Sequence, residues 1–125
     1  MKPAALALRL LYAATSLAAA ERQAIAAEAL SRGALLFQTC SACHSVLGDG
    51  VGPDLTGIYG SKAASRPGFD YSSALRSSGL VWDEPTLRAF ITNPQDLVPG
   101  TTMTFPGYDK RADTDAVVDY LKTQR

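Results

Sequence analysis

The 125-residue chain has one histidine, two cysteines, one tryptophan and, beyond the initiator, one methionine. Each scarcity excludes something. Two cysteines cannot build the disulfide framework that lets small exported domains manage without a large core. Two Cys and one His also fall short of the four Cys, His or carboxylate ligands of a structural zinc site. Acidic and basic side chains balance at twelve each, so neither sign dominates. The apolar run Leu10 to Ala20 is too short to span a membrane, and Arg9 sits too centrally beside it. The length suits one domain, with no internal repeat and no low-complexity tract.

The scarce residues fall into one ligand set. Cys40-Ser41-Ala42-Cys43-His44 reads C-x-x-C-H, the signature of covalent haem attachment. Two thiols three residues apart on a helical turn can reach the two vinyl groups of one porphyrin, and the next residue then aims its imidazole at the iron. Met103, within Pro-Gly-Thr-Thr-Met-Thr-Phe, offers the thioether that is the usual second axial ligand of electron-transfer cytochromes and raises the potential. A set with no spare members implies one haem c. A thioredoxin-like redox pair would need a βαβ context, whereas Ala34, Leu35, Leu36 and Phe37 lead into the motif from a helical pattern. Pro53, just past a loop running from Leu47, has no N–H, but its carbonyl is a natural acceptor for the Nδ1–H of an iron-bound histidine.

The first twenty residues read as an export signal. Lys2 and Arg9 give a positive start, Leu10 to Ala20 forms the apolar region, and Ala18-Ala19-Ala20 is a candidate cleavage site, with Ala27-Glu28-Ala29 the later alternative. Residues 30–125 then form the domain. A first amphipathic helix is expected over Glu28 to Thr39, and Gly33 inside it suggests that another helix passes very close. Gly and Pro concentrate between residues 48 and 68, a stretch unable to build a dense core alone, so the haem-free chain is expected to be largely unfolded. A short helix follows from Ser72 to Ser78, closed by Gly79. Asp83 then caps a helix with Pro85 in its first turn and Leu87, Phe90 and Ile91 on one buried stripe. Asn93-Pro94 stops it, and a last helix runs from about Lys110 to Thr123, with Val117, Val118, Tyr120 and Leu121 facing inward.

An ordered series of motifs carries a family resemblance. Gly33-x-x-x-Phe37-x-x-Cys40-x-x-Cys43-His44 comes first, then Gly52-Pro53-Asp54-Leu55-Thr56-Gly57-Ile58-Tyr59-Gly60. Pro67-Gly68-Phe69-x-Tyr71, Trp82, Asn93-Pro94, Pro99-Gly100-Thr101-Thr102-Met103 and Tyr120-Leu121 complete it. Residues 30–125 thus resemble class I cytochromes c of the mitochondrial and bacterial cytochrome c2 type. The resemblance implies an all-α fold with crossed N- and C-terminal helices, Gly33 and Phe37 meeting Val117 and Tyr120, and short helices and loops enclosing one haem. It implies thioethers at Cys40 and Cys43, axial ligands His44 and Met103, Pro53 orienting His44, Tyr71 and Trp82 on a haem propionate, and Thr101 near the propionate and the methionine loop. Three positions depart from the mitochondrial pattern: Phe90 replaces a tyrosine near the methionine sulfur, and Leu75 and Ser61 replace an asparagine and an arginine on the propionate side. The loop between the motif and Pro53 is also shorter.

The function so implied is one-electron transfer between redox partners in the bacterial periplasm, as in a respiratory chain, and not an enzymatic one. Expected partners are a membrane oxidoreductase, an oxidase or a periplasmic dehydrogenase; nucleic acid is not among them. The chain is expected to be a monomer, membrane-associated only if the leader stays uncleaved. Two other readings remain: a subunit fixed in a larger dehydrogenase or oxidase complex, and a ligand-binding or peroxidase-like haem protein in which Met103 dissociates easily. Where mitochondrial cytochromes carry a ring of lysines, this chain has Thr39, Gln95, Asp96, Thr102 and Asp109, and only Lys110 keeps the charge. Without the leader, ten basic side chains face twelve acidic ones, so docking is expected to lean on Phe105 and Val98 beside Met103 instead.

Overall fold

The computed structural model describes residues 3–45, 47 and 50–125, with side chains from residue 15 onward; Lys2 of the leader and Gly48-Asp49 of the loop before Pro53 lie outside the described residues. Among them are helices α1 (Pro3–Ser41), α2 (Ser73–Ser77), α3 (Glu84–Thr92), α4 (Pro94–Leu97) and α5 (Arg111–Thr123). The only β pairing among the described residues is an isolated antiparallel bridge between Lys62 and Val81. The fold is therefore all-α, as expected.

α1 departs from the expected start at Glu28, running unbroken from Pro3. Its first thirty residues hold no glycine and no proline after Pro3, and they are rich in alanine and leucine, the best helix formers, so nothing interrupts the turn-by-turn propagation. Residues 15–28 are exposed, with Leu17 and Ile25 showing 72% and 66% of their surface. Among the residues whose side chains are described, Ala29 is the first of the helix to be half-buried.

There α1 crosses α5. A Cβ on Gly33 would collide with the carbonyl oxygen of Ala116 and lie 2.8 Å from Tyr120 Cβ, so the glycine lets the two backbones touch. The groups nearest Gly33 are Ala116 and Tyr120, and Val117 is fully buried in the core against which Phe37 packs. Phe37 stacks on Tyr120 with ring centroids 5.1 Å apart. Arg32 pairs with Asp113 across the same crossing, and the Tyr108 hydroxyl donates to the Leu36 carbonyl at 3.1 Å.

α3 closes the third side. The Asp83 carboxylate accepts from the Thr86 N–H at 3.0 Å, with Pro85 in the first turn, and Leu87, Phe90 and Ile91 are buried. They join Trp82, Val98, Val117, Val118 and Leu121 in one core. An ionic network on the outer face ties α3 to α5: Glu84 accepts from Arg88 at 2.8 Å and Lys122 at 2.6 Å, and Arg88 also reaches Asp115 at 2.5 Å. Asn93-Pro94 ends α3 and also starts α4, which the sequence reading did not anticipate. The Asn93 side chain accepts from the Asp96 N–H at 3.4 Å, and Pro94 takes the first helical position, where its missing N–H costs nothing. α2 is capped by Ser72 and followed by Gly79 at φ +65°, the left-handed turn that lets the chain double back to the Lys62–Val81 bridge.

Gly33→Val is expected to destabilise the folded domain by about 2 kcal/mol or more, because the nearest obstacle is backbone that cannot rotate away. A denaturant midpoint equal to wild type would contradict the close crossing. The hydrogen bonds from Lys122 and then Arg88 hold the Glu84 carboxyl below its ordinary value, and the Thr86 bonds do the same for Asp83. A lowered folded-state value means stabilisation that is present above the unfolded value and lost as pH falls through the folded one. Stability should therefore decline on acidification below about pH 4. Glu84→Gln should flatten part of that decline in an acid titration followed by circular dichroism.

Candidate functional site

The end of α1 places the motif. Cys40 lies in the last turn, and the N–H groups of Cys43 and His44 both bond the Cys40 carbonyl, at 3.0 and 2.9 Å, wrapping the chain into a tight turn. The loop then returns beneath it: the Gly52 N–H donates to the Cys43 carbonyl at 2.9 Å. His44 Nδ1–H donates to the Pro53 carbonyl at 2.7 Å, which fixes the tautomer and leaves Nε2 as the ring nitrogen with a free lone pair. Gly52 backs the ring so closely that a Cβ there would stand 2.6 Å from Cε1. Neither cysteine is in a disulfide; Cys43 is exposed and Cys40 half-buried, and burial first, then the neighbouring Cys43, would raise the Cys40 thiol above its usual range before attachment.

A cavity of about 620 Å³ opens beside this turn, within the range of small-molecule and cofactor sites. It brings together all eight residues singled out from the sequence: Cys40, Cys43, His44, Pro53, Tyr71, Trp82, Thr101 and Met103. Leu55, Leu75, Leu87, Phe90, Ile91, Val117 and Leu121 give it an apolar wall. Trp82 is positioned by its backbone, which bonds Ser61 and Gly60 at 2.8 and 2.9 Å, and by Phe90, whose ring centroid is 4.9 Å away. Its indole N–H has no acceptor among the described residues. Tyr71 packs edge-on to Phe69 at 4.8 Å, and burial raises its phenol, opposed by the N–H and guanidinium of Arg66. Thr101 is buried, and its hydroxyl accepts from the Met103 N–H at 3.4 Å.

Arg66 is a cavity residue that the sequence reading missed. Its guanidinium bonds the Thr56 carbonyl and lies 3.5 Å from Asp54, whose carboxyl sits below its ordinary value chiefly through the Thr56 N–H. The signal was available: Ser61 lacks the arginine of the mitochondrial pattern, and Arg66 directly precedes the Pro67-Gly68 turn. Lys62 lines the same cavity. Val98, expected at a docking edge, instead shows 3% of its surface and belongs to the core, because α4 turns it inward. Phe105 is half-buried against Tyr108.

Among the described residues no group of three or more His, Cys, Asp or Glu side chains is arranged to hold a metal ion. No βαβ unit is present among them to support a thioredoxin-like pair. The family model for cytochrome c matches residues 30–125. The chain belongs to the cytochrome c family. It is 46% identical over 96 residues to cytochrome c2 of Rhodomicrobium vannielii, a match covering 74% of this chain and 77% of that protein. It is 40% identical over 114 residues to cytochrome c-554 of Methylosinus trichosporium, covering 89% and 86%. Among solved structures, cytochrome cH from Methylobacterium extorquens superposes with a TM-score of 0.72 at 41% identity, covering 75% of this chain and 97% of that one.

Membership of this family identifies the chain as a class I c-type cytochrome, a single-haem electron carrier, and its cofactor as one covalently attached haem c. The site fits that group on its own chemistry: two free thiols on one turn, an imidazole with its outer nitrogen tied down, a thioether and an apolar enclosure. Among the described residues no helix is long and apolar enough to cross a membrane.

Proposed function

We propose that this cytochrome shuttles single electrons between redox proteins outside the cytoplasmic membrane, holding its haem through thioethers at Cys40 and Cys43 and the iron through His44 and Met103. The observation that carries this reading is the His44–Pro53 hydrogen bond at 2.7 Å on the wall of the cavity that also contains Met103. When bound, the haem supplies a reversible one-electron iron couple. The chain's contribution is to hold that couple still. Pro53 keeps the imidazole in the tautomer that presents Nε2 and makes it a better donor. With His44 and Met103 both holding the iron, no coordination position would be left for a substrate, which would suit a carrier. The Trp82 N–H and the Tyr71 hydroxyl offer hydrogen bonds to propionate oxygens, and Arg66 offers a charge to the same groups.

Met103→Ala tests the ligation. The variant should keep covalent haem, lose the far-red charge-transfer band of ferric methionine–sulfur ligation, show a lower potential and admit imidazole or cyanide readily. An unchanged band and potential would defeat the assignment.

Residues 1–20 are read as an export leader, with cleavage as late as residue 29 the alternative. Residues 15–28 of α1 are exposed and contribute nothing to the core, so their removal would leave the α1–α5 crossing intact. The likeness to cytochrome c-554 covers 89% of the chain, more than residues 30–125 supply, so it reaches into this leader. The expected product is a monomeric periplasmic protein. Intact-mass measurement on protein from its native host should find the first twenty residues missing; Met1 retained in a membrane fraction would refute the processing.

A further inference from the structure

One side chain outside the cavity holds the segment that bears Met103. Gln95, exposed on α4, extends its amide over the turn that follows. Its Nε2 donates to the carbonyl of Thr101 at 2.8 Å and to that of Met103 at 3.3 Å, while its Oε1 accepts from the Gly100 N–H at 3.3 Å. Among the described residues these three backbone groups have no other hydrogen-bond partner. The rest of the segment is lightly anchored. Thr101 N–H bonds the Val98 carbonyl at 3.0 Å and Met103 N–H reaches the Thr101 hydroxyl at 3.4 Å, but Pro99, Gly100, Thr102 and Thr104 are exposed. Such a segment, with few buried contacts, belongs to the low-stability end of a fold and opens locally.

We propose that Gln95 is the latch of the methionine loop: a positioning residue whose amide holds residues 100–103 against α4 and so keeps Met103 in place. The proposal rests on the reading of Met103 as an axial ligand. Only a carboxamide meets the demand of this site, because two carbonyls and one N–H converge on it and need two donors and one acceptor from a single group. A lysine there could serve the carbonyls but not the N–H, and a glutamate would serve the N–H while setting its charge against two carbonyl oxygens. The base of the latch is rigid: Pro94 is fully buried, and α4 is capped at one end by Asn93 and closed at the other by the Val98 N–H on the Pro94 carbonyl at 2.9 Å. Gln95 therefore transmits the fixed position of α4 to the methionine segment without touching the iron.

The test uses the haem-loaded protein and its Gln95→Glu and Gln95→Leu variants. In the ferric state at neutral pH, imidazole is titrated and the loss of the far-red methionine–sulfur band is followed. Because imidazole enters through local opening, both variants should bind it about tenfold more tightly, the effect of one or two net hydrogen bonds. A residue supporting only global stability would leave that affinity unchanged. Wild-type affinity in both variants, with the band intact, overturns the latch and leaves the Met103 ligand standing. A wild-type protein without the band overturns the ligand assignment and the latch together. Should neither variant accumulate with haem, hydrogen exchange of wild-type Gly100 decides: protection of its N–H supports the latch, and exchange at the free-peptide rate overturns it.

Discussion

The attachment turn of the cofactor site depends on the contact between α1 and α5 at Gly33. Cys40 lies seven positions after Gly33, close to two full helical turns, so the two share one face of α1 with Phe37 between them. Once Gly33 is pressed against the Ala116 carbonyl, the direction in which Cys40 projects is fixed. The turn that carries Cys43 and His44 hangs from the Cys40 carbonyl, so their directions follow from the same contact. Removing the glycine would act at a distance, by rotating or lifting the helix that carries the attachment turn.

The two sides of the site differ in stiffness for that reason. His44 and the cysteines sit on a helix end, with the imidazole bonded to Pro53 and backed by Gly52. Met103 sits on a loop whose bonds to the rest of the chain are few and mostly mediated by one exposed glutamine. The histidine side is over-determined and the methionine side is conditional.

Most of the site was legible in the sequence, because its chemistry is carried by residue types that occur once or twice. His44, the two cysteines and Met103 had no competitors of their kind, and Pro53 followed from the need of a ligating imidazole for an acceptor. The capped start of α3 and its buried stripe were equally readable, since Asp83, Pro85 and the spacing of Leu87, Phe90 and Ile91 are local signals. What was missed depends on tertiary placement. The inward turn of Val98 follows from α4, and α4 was hidden because Asn93-Pro94 reads as a stop while serving equally well as an N-cap and first helical residue. Arg66 and Gln95 are single polar residues in loops or short helices, and no periodicity marks them. The full length of α1 was missed for another reason: a leader and a good helix are made of the same residues.

The burial of Val98 changes the physical picture of the surface that meets a partner. With that side chain in the core, the apolar groups left exposed near the attachment turn are Leu47 and Val51, at 83% and 82% exposure. Gln95 is exposed but already engaged with the methionine loop, and Thr39, Asp96, Thr102 and Asp109 are exposed without contributing positive charge. Leu47 and Val51 lie on the histidine side of the site, the side whose geometry is fixed by the helix crossing. Contact made there would leave the conditional methionine loop undisturbed, whereas a lysine at position 95 would lose the acceptor that bonds the Gly100 N–H. The residue at 95 can present a charge to a partner or hold the loop through all three backbone groups, and Gln95 bonds all three.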